Sequence, residues 1–246
     1  MKDTLLIIPA YNEEKNIEDV LENIKKSGAL NFADIMVVND GSKDNTKEVV
    51  ESLGVKVISQ IYNLGYGAAL QISYKYAMEH GYEYVIQMDA DGQHDVCNIE
   101  NIHNCMMYGD ESQRPDIVIG SRFLEGAKHY HMSAIRLLAV KMFRTIIKIV
   151  THQKITDPTS GLQGLNSRAF TYYAGYGNFD IKYPDINMII QMLLLGFKIK
   201  EVPAIMHARY QGQSMHAGII KPLKYMCIMM LSVLVAILRN RGKKQK

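Results

Sequence analysis

The first half of the chain alternates short apolar runs with segments whose apolar residues recur every three or four positions, the pattern of a parallel sheet covered by helices. Residues 5–8 read as a buried strand ended by Pro9, and Ile17, Val20, Leu21 and Ile24 then follow helical spacing up to a stop at Ser27-Gly28. A second run, 35–38, leads into Asn39-Asp40-Gly41-Ser42, with Asp44 and Asn45 as candidate caps for a helix through Val49, Val50 and Leu53. Residues 55–58 are a third strand, 67–80 a helix stopped by Gly81, 84–88 a fourth strand and 117–119 a fifth. The second half has a different texture. Residues 134–150 are apolar with a cationic stripe, 185–195 form a short apolar helix closed by Gly196, and 199–202 and 205–208 read as strands. The expected class is α/β, a mostly parallel sheet with helices on both faces.

Composition narrows this picture. With 246 residues, 48% of them hydrophobic and 22% charged, the chain has material for one sizeable core but hardly for two. Eighteen Gly and six Pro are scattered without a repeat, which excludes collagen, solenoid and low-complexity architectures. Three cysteines, Cys97, Cys105 and Cys227, follow no metal-binding spacing and suit a reduced, cytoplasmic setting. The first apolar stretch is too short for a signal-peptide core, so export is not expected. A net charge of +3 is too small to point to nucleic acid. The charge is unevenly placed, however: the basic tail, Arg239 to Lys246, follows the most apolar stretch, residues 225–238. We therefore divide the chain into a domain over 1–218 and a C-terminal apolar helix with a basic tail over 219–246, suited to a membrane surface or an interface. The uncharged run would reach about 21 Å as a helix, short of a hydrocarbon core of roughly 30 Å. Leu138, Phe143, Ile146 and Val150, beside Lys141, Arg144 and Lys148, offer a second surface contact.

Chemistry concentrates where strands end. Asp89-Ala90-Asp91-Gly92 places two carboxylates one residue apart, hard oxygen ligands able to hold Mg²⁺ or Mn²⁺ while leaving positions for phosphates. A polar loop after a strand has the same look. A calcium loop of the EF-hand type does not fit, because its glycine would stand at the sixth position and a helix would precede it. Pro9-Ala10-Tyr11-Asn12-Glu13-Glu14 follows the first strand, and Asp40 follows the second, where its carboxylate could accept the imide N–H of a uracil or an amino proton of another base. Asx turns and acidic helix starts also look like this. In open sheets ligands gather beyond the carboxyl ends of the strands, so three acidic loops at one edge carry more weight than any one alone.

That conjunction resembles the family 2 glycosyltransferases, with the GT-A nucleotide-sugar-binding fold. The likeness runs from residue 4 to about 215. Asn63-Leu-Gly-Tyr-Gly67, Gly120-Ser-Arg-Phe123, Asp157-Pro-Thr-Ser-Gly161 and Arg209-Tyr-Gln-Gly-Gln-Ser214 are similar to the subgroup of dolichyl-phosphate mannosyltransferases and bacterial polyprenyl-phosphate glycosyltransferases. The resemblance implies that Pro9, Tyr11, Glu13 and Asp40 surround the nucleoside and that Asp89 and Asp91 handle metal and diphosphate. It further implies that Arg122 meets the acceptor phosphate and that Asp157 to Gly161, with Ser160, forms an acceptor-side loop. Met215 departs from the subgroup's usual Lys, and Asp185 from its usual Glu. The absence of Trp argues against a processive synthase, whose Gln-x-x-Arg-Trp element needs one. The expected activity is metal-dependent, inverting transfer of one sugar from a nucleotide sugar, with UDP favoured, to a membrane-associated acceptor such as polyprenyl phosphate or a lipid-linked glycan. A hydroxyl acceptor would need a base, for which Asp185 is the candidate; a lipid phosphate would need cations, for which Arg122 and Arg136 suit. His207 and His216 flank the loop Arg209 to Ser214 and could reach the diphosphate, with His207 a candidate metal neighbour. A homo-oligomer or a membrane-protein partner is compatible with this reading. Two alternatives stay open at this point: a non-catalytic nucleotide-sugar-binding subunit and a nucleotidyltransferase.

Overall fold

A computed structural model of the chain describes residues 2–108, 110–128, 132, 134–208 and 220–240. Seven strands form one sheet: β1 (Thr4–Ala10), β2 (Ala33–Asn39), β3 (Lys56–Ser59), β4 (Tyr84–Gln87), β5 (Ile117–Ser121), β6 (Gln163–Asn166) and β7 (Ile199–Pro203). Their order is β3-β2-β1-β4-β6-β5-β7, with β6 antiparallel to both neighbours and the remaining pairs parallel. Because helices cover both faces, the central strands are continuous apolar runs instead of alternating ones. Leu5 and Ile7 of β1 face a core with Leu70, Phe143, Phe170, Ile190 and Val233, contributed by α3 (Tyr66–Glu79), α5 (Ala134–Thr151), α6 (Ser167–Ala174), α7 (Ile186–Leu194) and α8 (Ile220–Asn240). Leu6 and Ile8 face the other core with Leu21, Val50 and Ile102, from α1 (Ile17–Lys26), α2 (Thr46–Ser52) and α4 (Cys97–Met107).

Pro9 does not end β1; it lies inside it, opposite Val38 of β2. A proline is tolerated in this central strand because successive peptide groups point to opposite sides. Ala10 O accepts from Asp40 N on the β2 side, so the N–H that Pro9 lacks would point towards β4, whose ladder with β1 has already finished at Ile7 and Gln87. The expected strand over 205–208 does not form. Its residues make only two isolated bridges, Ile205 with Lys128 and Met206 with His94. Asn98 takes the place of a neighbouring strand, accepting from Ile205 N at 2.9 Å and donating to Ile205 O at 2.7 Å.

Helix α8 packs one face on α7, with Met229, Val233 and Ala236 buried, and leaves Leu231, Leu234, Val235 and Leu238 exposed. No helix among the described residues is long and apolar enough to cross a membrane. On α5, Phe143 belongs to the core at 1% exposure, and Arg144 is tied inward, donating from Nε to Thr156 O and lying over the Phe123 ring. The surface contact expected there therefore shrinks to Leu137, Leu138 and Ile149 with Lys141 and Lys148, all exposed.

Candidate active site

The carboxyl ends of β2, β1 and β4 lie side by side, so the three acidic loops meet at one edge, as the topology of such sheets requires. The loops after β1 and β2 are laced together. Asn12 N donates to Ser42 Oγ, Lys43 N to Asn12 Oδ1, Glu13 N to Thr46 Oγ1 and Glu14 N to Asp44 Oδ2. Asn12 adopts a positive φ of 55°, and the lacing holds it there. Pro9 is buried within β1, Glu13 accepts from Asn16 Nδ2, and Tyr11 stands exposed at the rim.

Asp40 is 4% exposed, and its carboxylate accepts from Leu64 N at 2.8 Å, Gly65 N at 2.9 Å and Gln60 Nε2 at 3.0 Å. It thereby folds the segment after β3 across the end of β2. Gly41 makes room for this: a Cβ there would lie 2.6 Å from the Tyr62 carbonyl carbon, and its φ of 66° is one that residues with a Cβ rarely adopt.

Asp89 follows β4. Its Oδ1 accepts from the Tyr66 hydroxyl at 3.0 Å, and His94 Nε2 lies 3.4 Å from Oδ2. Burial alone would raise the Asp89 carboxyl, but His94, Tyr66 and Arg122 outweigh it and hold the group below its ordinary value. Asp91 Oδ1 caps the turn by accepting from Gln93 N. On the far side of Asp89 lies the loop before β6. A Cβ on Gly161 would come within 2.9 Å of Asp89 Oδ2 and 3.2 Å of the Tyr66 oxygen. Gly161 O accepts from Gln87 Nε2 at 2.9 Å, and Gln87 Oε1 in turn accepts from the Tyr74 hydroxyl.

The same loop is anchored by a buried ion pair. Arg122 Nε and Nη2 donate to Asp157 Oδ2 and Oδ1 at 2.6 and 2.7 Å, its backbone N–H also donates to Oδ2, and Nη2 reaches Thr159 Oγ1. Ser160 Oγ donates to Gly120 O at 2.6 Å. Glu201 of β7 accepts from Thr156 N and Asp157 N, both at 2.7 Å. Asp185 precedes α7 without capping it through its side chain. Burial, followed by the charge of Asp89, by Tyr74 and, more weakly, by Asp185, raises the Tyr66 hydroxyl well above its ordinary value.

Other expected residues fall outside this cluster. His207 is half exposed, with Nε2 2.8 Å from Asp95 Oδ2. Arg136 is half-buried in the first turn of α5. Arg209, Ser214, Met215 and His216 lie outside the described residues. Among the described residues no three His, Cys, Asp or Glu side chains gather as a metal cage. Asp89 and Asp91 nevertheless suit a hard cation of the Mg²⁺ type, which is held by one or two carboxylates and completed by substrate phosphates and water. Sequence reasoning gave no role to Tyr66, Gln87 or Glu201. Tyr66 stands inside the motif Asn63-Leu-Gly-Tyr-Gly67, but each of the three meets its partner only through the packing of α3, β4 and β7.

The family model described as Glycosyl transferase family 2 matches residues 5–173. An undecaprenyl-phosphate mannosyltransferase of Micrococcus luteus is 28% identical, over 87% of both chains. A polyprenol monophosphomannose synthase of Mycolicibacterium smegmatis is 26% identical, over 87% of this chain and 81% of its own. Among solved structures, glucosyl-3-phosphoglycerate synthase from Mycobacterium tuberculosis, in complex with Mn²⁺, UDP and phosphoglyceric acid, superposes with a TM-score of 0.67 at 18% identity, covering all of this chain and 80% of that one. The fold is thus GT-A, and the sheet-edge carboxylates, the buried Arg122–Asp157 loop and the family match agree: this chain belongs to glycosyl transferase family 2 and is a glycosyltransferase.

Proposed function

We propose that the chain moves one sugar from a nucleotide sugar, UDP-linked by preference, to a polyprenyl phosphate at a membrane surface, with inversion at the anomeric carbon. The observation that carries this is the meeting of a donor-side carboxylate with an acceptor-side loop: Asp89 and Gly161 lie against each other with no room for a methyl group between them. Asp91, with Asp89 beside it, would hold Mg²⁺ or Mn²⁺, whose charge would offset the negative charge growing on the departing diphosphate. Asp40 accepts three N–H groups, and a carboxylate has about four lone-pair sites, so capacity remains for a base N–H. Pro9, Tyr11 and Glu13 border the nucleoside.

A lipid phosphate is anionic at neutral pH and attacks without a base. Arg122 gives Nε and Nη2 to the Asp157 loop, so its part is to fix that loop and add charge beside it, while Arg136 and Arg209 meet the phosphate. If the acceptor were a hydroxyl, Asp185 would act as base. The chain rests on lipid through the exposed apolar face of α8 and the basic residues beyond it; residues 219–246 thus form a membrane-facing unit beside the catalytic domain at 1–218, with the inner face of α8 packed into that domain's core.

Incubation with labelled UDP- and GDP-sugars and polyprenyl phosphate, with Mn²⁺ or EDTA, tests the reading through the lipid extract. Labelled lipid from a UDP-sugar is expected, lost with EDTA and lowered by orders of magnitude in Asp91→Ala. Product from GDP-mannose alone would replace the uridine donor, and transfer indifferent to both EDTA and Asp91→Ala would remove the metal.

A further inference from the structure

Asp89 is gripped at both oxygens, by Tyr66 at Oδ1 and His94 at Oδ2, and Gly161 closes the remaining side. His94 is 6% exposed and its Nδ1 has no hydrogen-bond partner, so Nε2 is the ring nitrogen that presents an N–H to the Asp89 carboxylate. Tyr66 opens α3 directly after Gly65, whose N–H is held by Asp40. A continuous path therefore runs from one end of the donor site to the other: Asp40 holds Gly65, the next residue is Tyr66, and its hydroxyl holds Asp89. A tyrosine hydroxyl satisfied anywhere in a core would be ordinary packing. Here the acceptor is the strand-terminal carboxylate itself, and α3, the end of β4 and the entry to β6 all converge on the one contact.

We propose that Tyr66, assisted by His94, is a positioning residue that sets the orientation of Asp89 for the cation and diphosphate, and that through Gly65 it couples this orientation to Asp40 at the nucleoside end. The inference rests on the metal reading above. Groups that orient a metal-binding carboxylate without touching the metal change metal affinity or activity by about 10–100-fold when removed.

The test uses the full chain and titrates Mn²⁺ in the presence of UDP, reading free Mn²⁺ by electron paramagnetic resonance. Tyr66→Phe keeps the ring and removes one oxygen. It should weaken Mn²⁺ binding by about 10–100-fold and lower kcat, while UDP affinity without metal and KM for the lipid acceptor stay within about twofold. His94→Ala should show a smaller loss of the same kind, and His94→Gln, whose amide still donates, should restore most of it; this pair carries the test by itself if Tyr66→Phe does not fold. Mn²⁺ affinity and kcat at the wild-type level in Tyr66→Phe would overturn the inference alone. A wild-type protein that binds no Mn²⁺ with UDP would overturn the metal reading and the inference with it.

Discussion

Replacing Asp157 by alanine removes the anion from a pair with almost no solvent around it: Asp157 is 0% exposed and Arg122 7%. Three donors of Arg122 lose their acceptor at once, the backbone N–H, Nε and Nη2, while the Thr159 hydroxyl stays 2.7 Å from Nη2. Stranding one partner of a buried ion pair costs about 3–5 kcal/mol. For a chain of this size each kcal/mol lowers the melting point by about 2–4 °C, so a fall of about 6–20 °C is expected in differential scanning calorimetry. The double variant Arg122→Met/Asp157→Leu separates charge from packing. It buries two apolar side chains where an ion pair stood and should recover most of the stability, yet not transferase activity, because the guanidinium that holds Thr159 and adds charge beside the loop is then gone. A fall below about 2 °C in Asp157→Ala would refute the reasoning, as would a double variant no more stable than the single one.

Gly161→Ala presses on an Asp89 carboxylate already held by Tyr66 and His94, so it should lower the melting point as well as kcat, the latter by up to about 100-fold, the scale of loss for a displaced catalytic group; wild-type kcat would mean that the orientation of Asp89 does not matter. Membrane contact is best tested by changing Leu231, Leu234, Val235 and Leu238 to Gln, because deleting α8 would also uncover α7. These side chains are 51–65% exposed, so folding should survive, while each stands to gain about 1 kcal/mol at a lipid surface. Flotation with anionic liposomes should be strong for the wild type at low salt and nearly absent for the variant; equal flotation would remove α8 from the interface.

The strands that could be read in advance were those with the plainest physical cause. β1, β2 and β5 are apolar runs buried on both faces, and each is followed by the polar loop that carries chemistry. β6 was invisible because Gln163-Gly164-Leu165-Asn166 holds one large apolar residue, and its glycine exists to let Ile102 and Met106 of α4 approach. α4 itself has Ile99, Ile102 and Met106 at helical spacing, but Asn98, Asn101 and Asn104 between them dilute the signal. The acidic loops could be found because each ends a strand. Their partners could not: Asp157 meets Arg122 across 35 positions and Glu201 meets Thr156 across 45, distances that only a folded sheet closes. Asp40 was legible as a site residue, but not as the strut that carries the segment from Gln60 to Gly65.

The reversed direction of β6 has a consequence for how the protein can vary. Every parallel strand delivers its loop to the reactive edge by leaving the sheet there; β6 delivers its loop by arriving. Residues 122 and 157 are therefore the two gateposts of a detour, and a salt bridge of 2.6 Å joins them. Whatever lies between, including all of α5, begins and ends at the same point in space. Such a detour can be lengthened, shortened or exchanged for another of the same footing without shifting the chemistry at its gate, provided that something still fills the core where Phe143 and Ile147 lie and takes the place of Arg144 against Phe123 and Thr156. Diversity in how such enzymes grip their surroundings has room to accumulate in this stretch, while the reacting edge stays fixed.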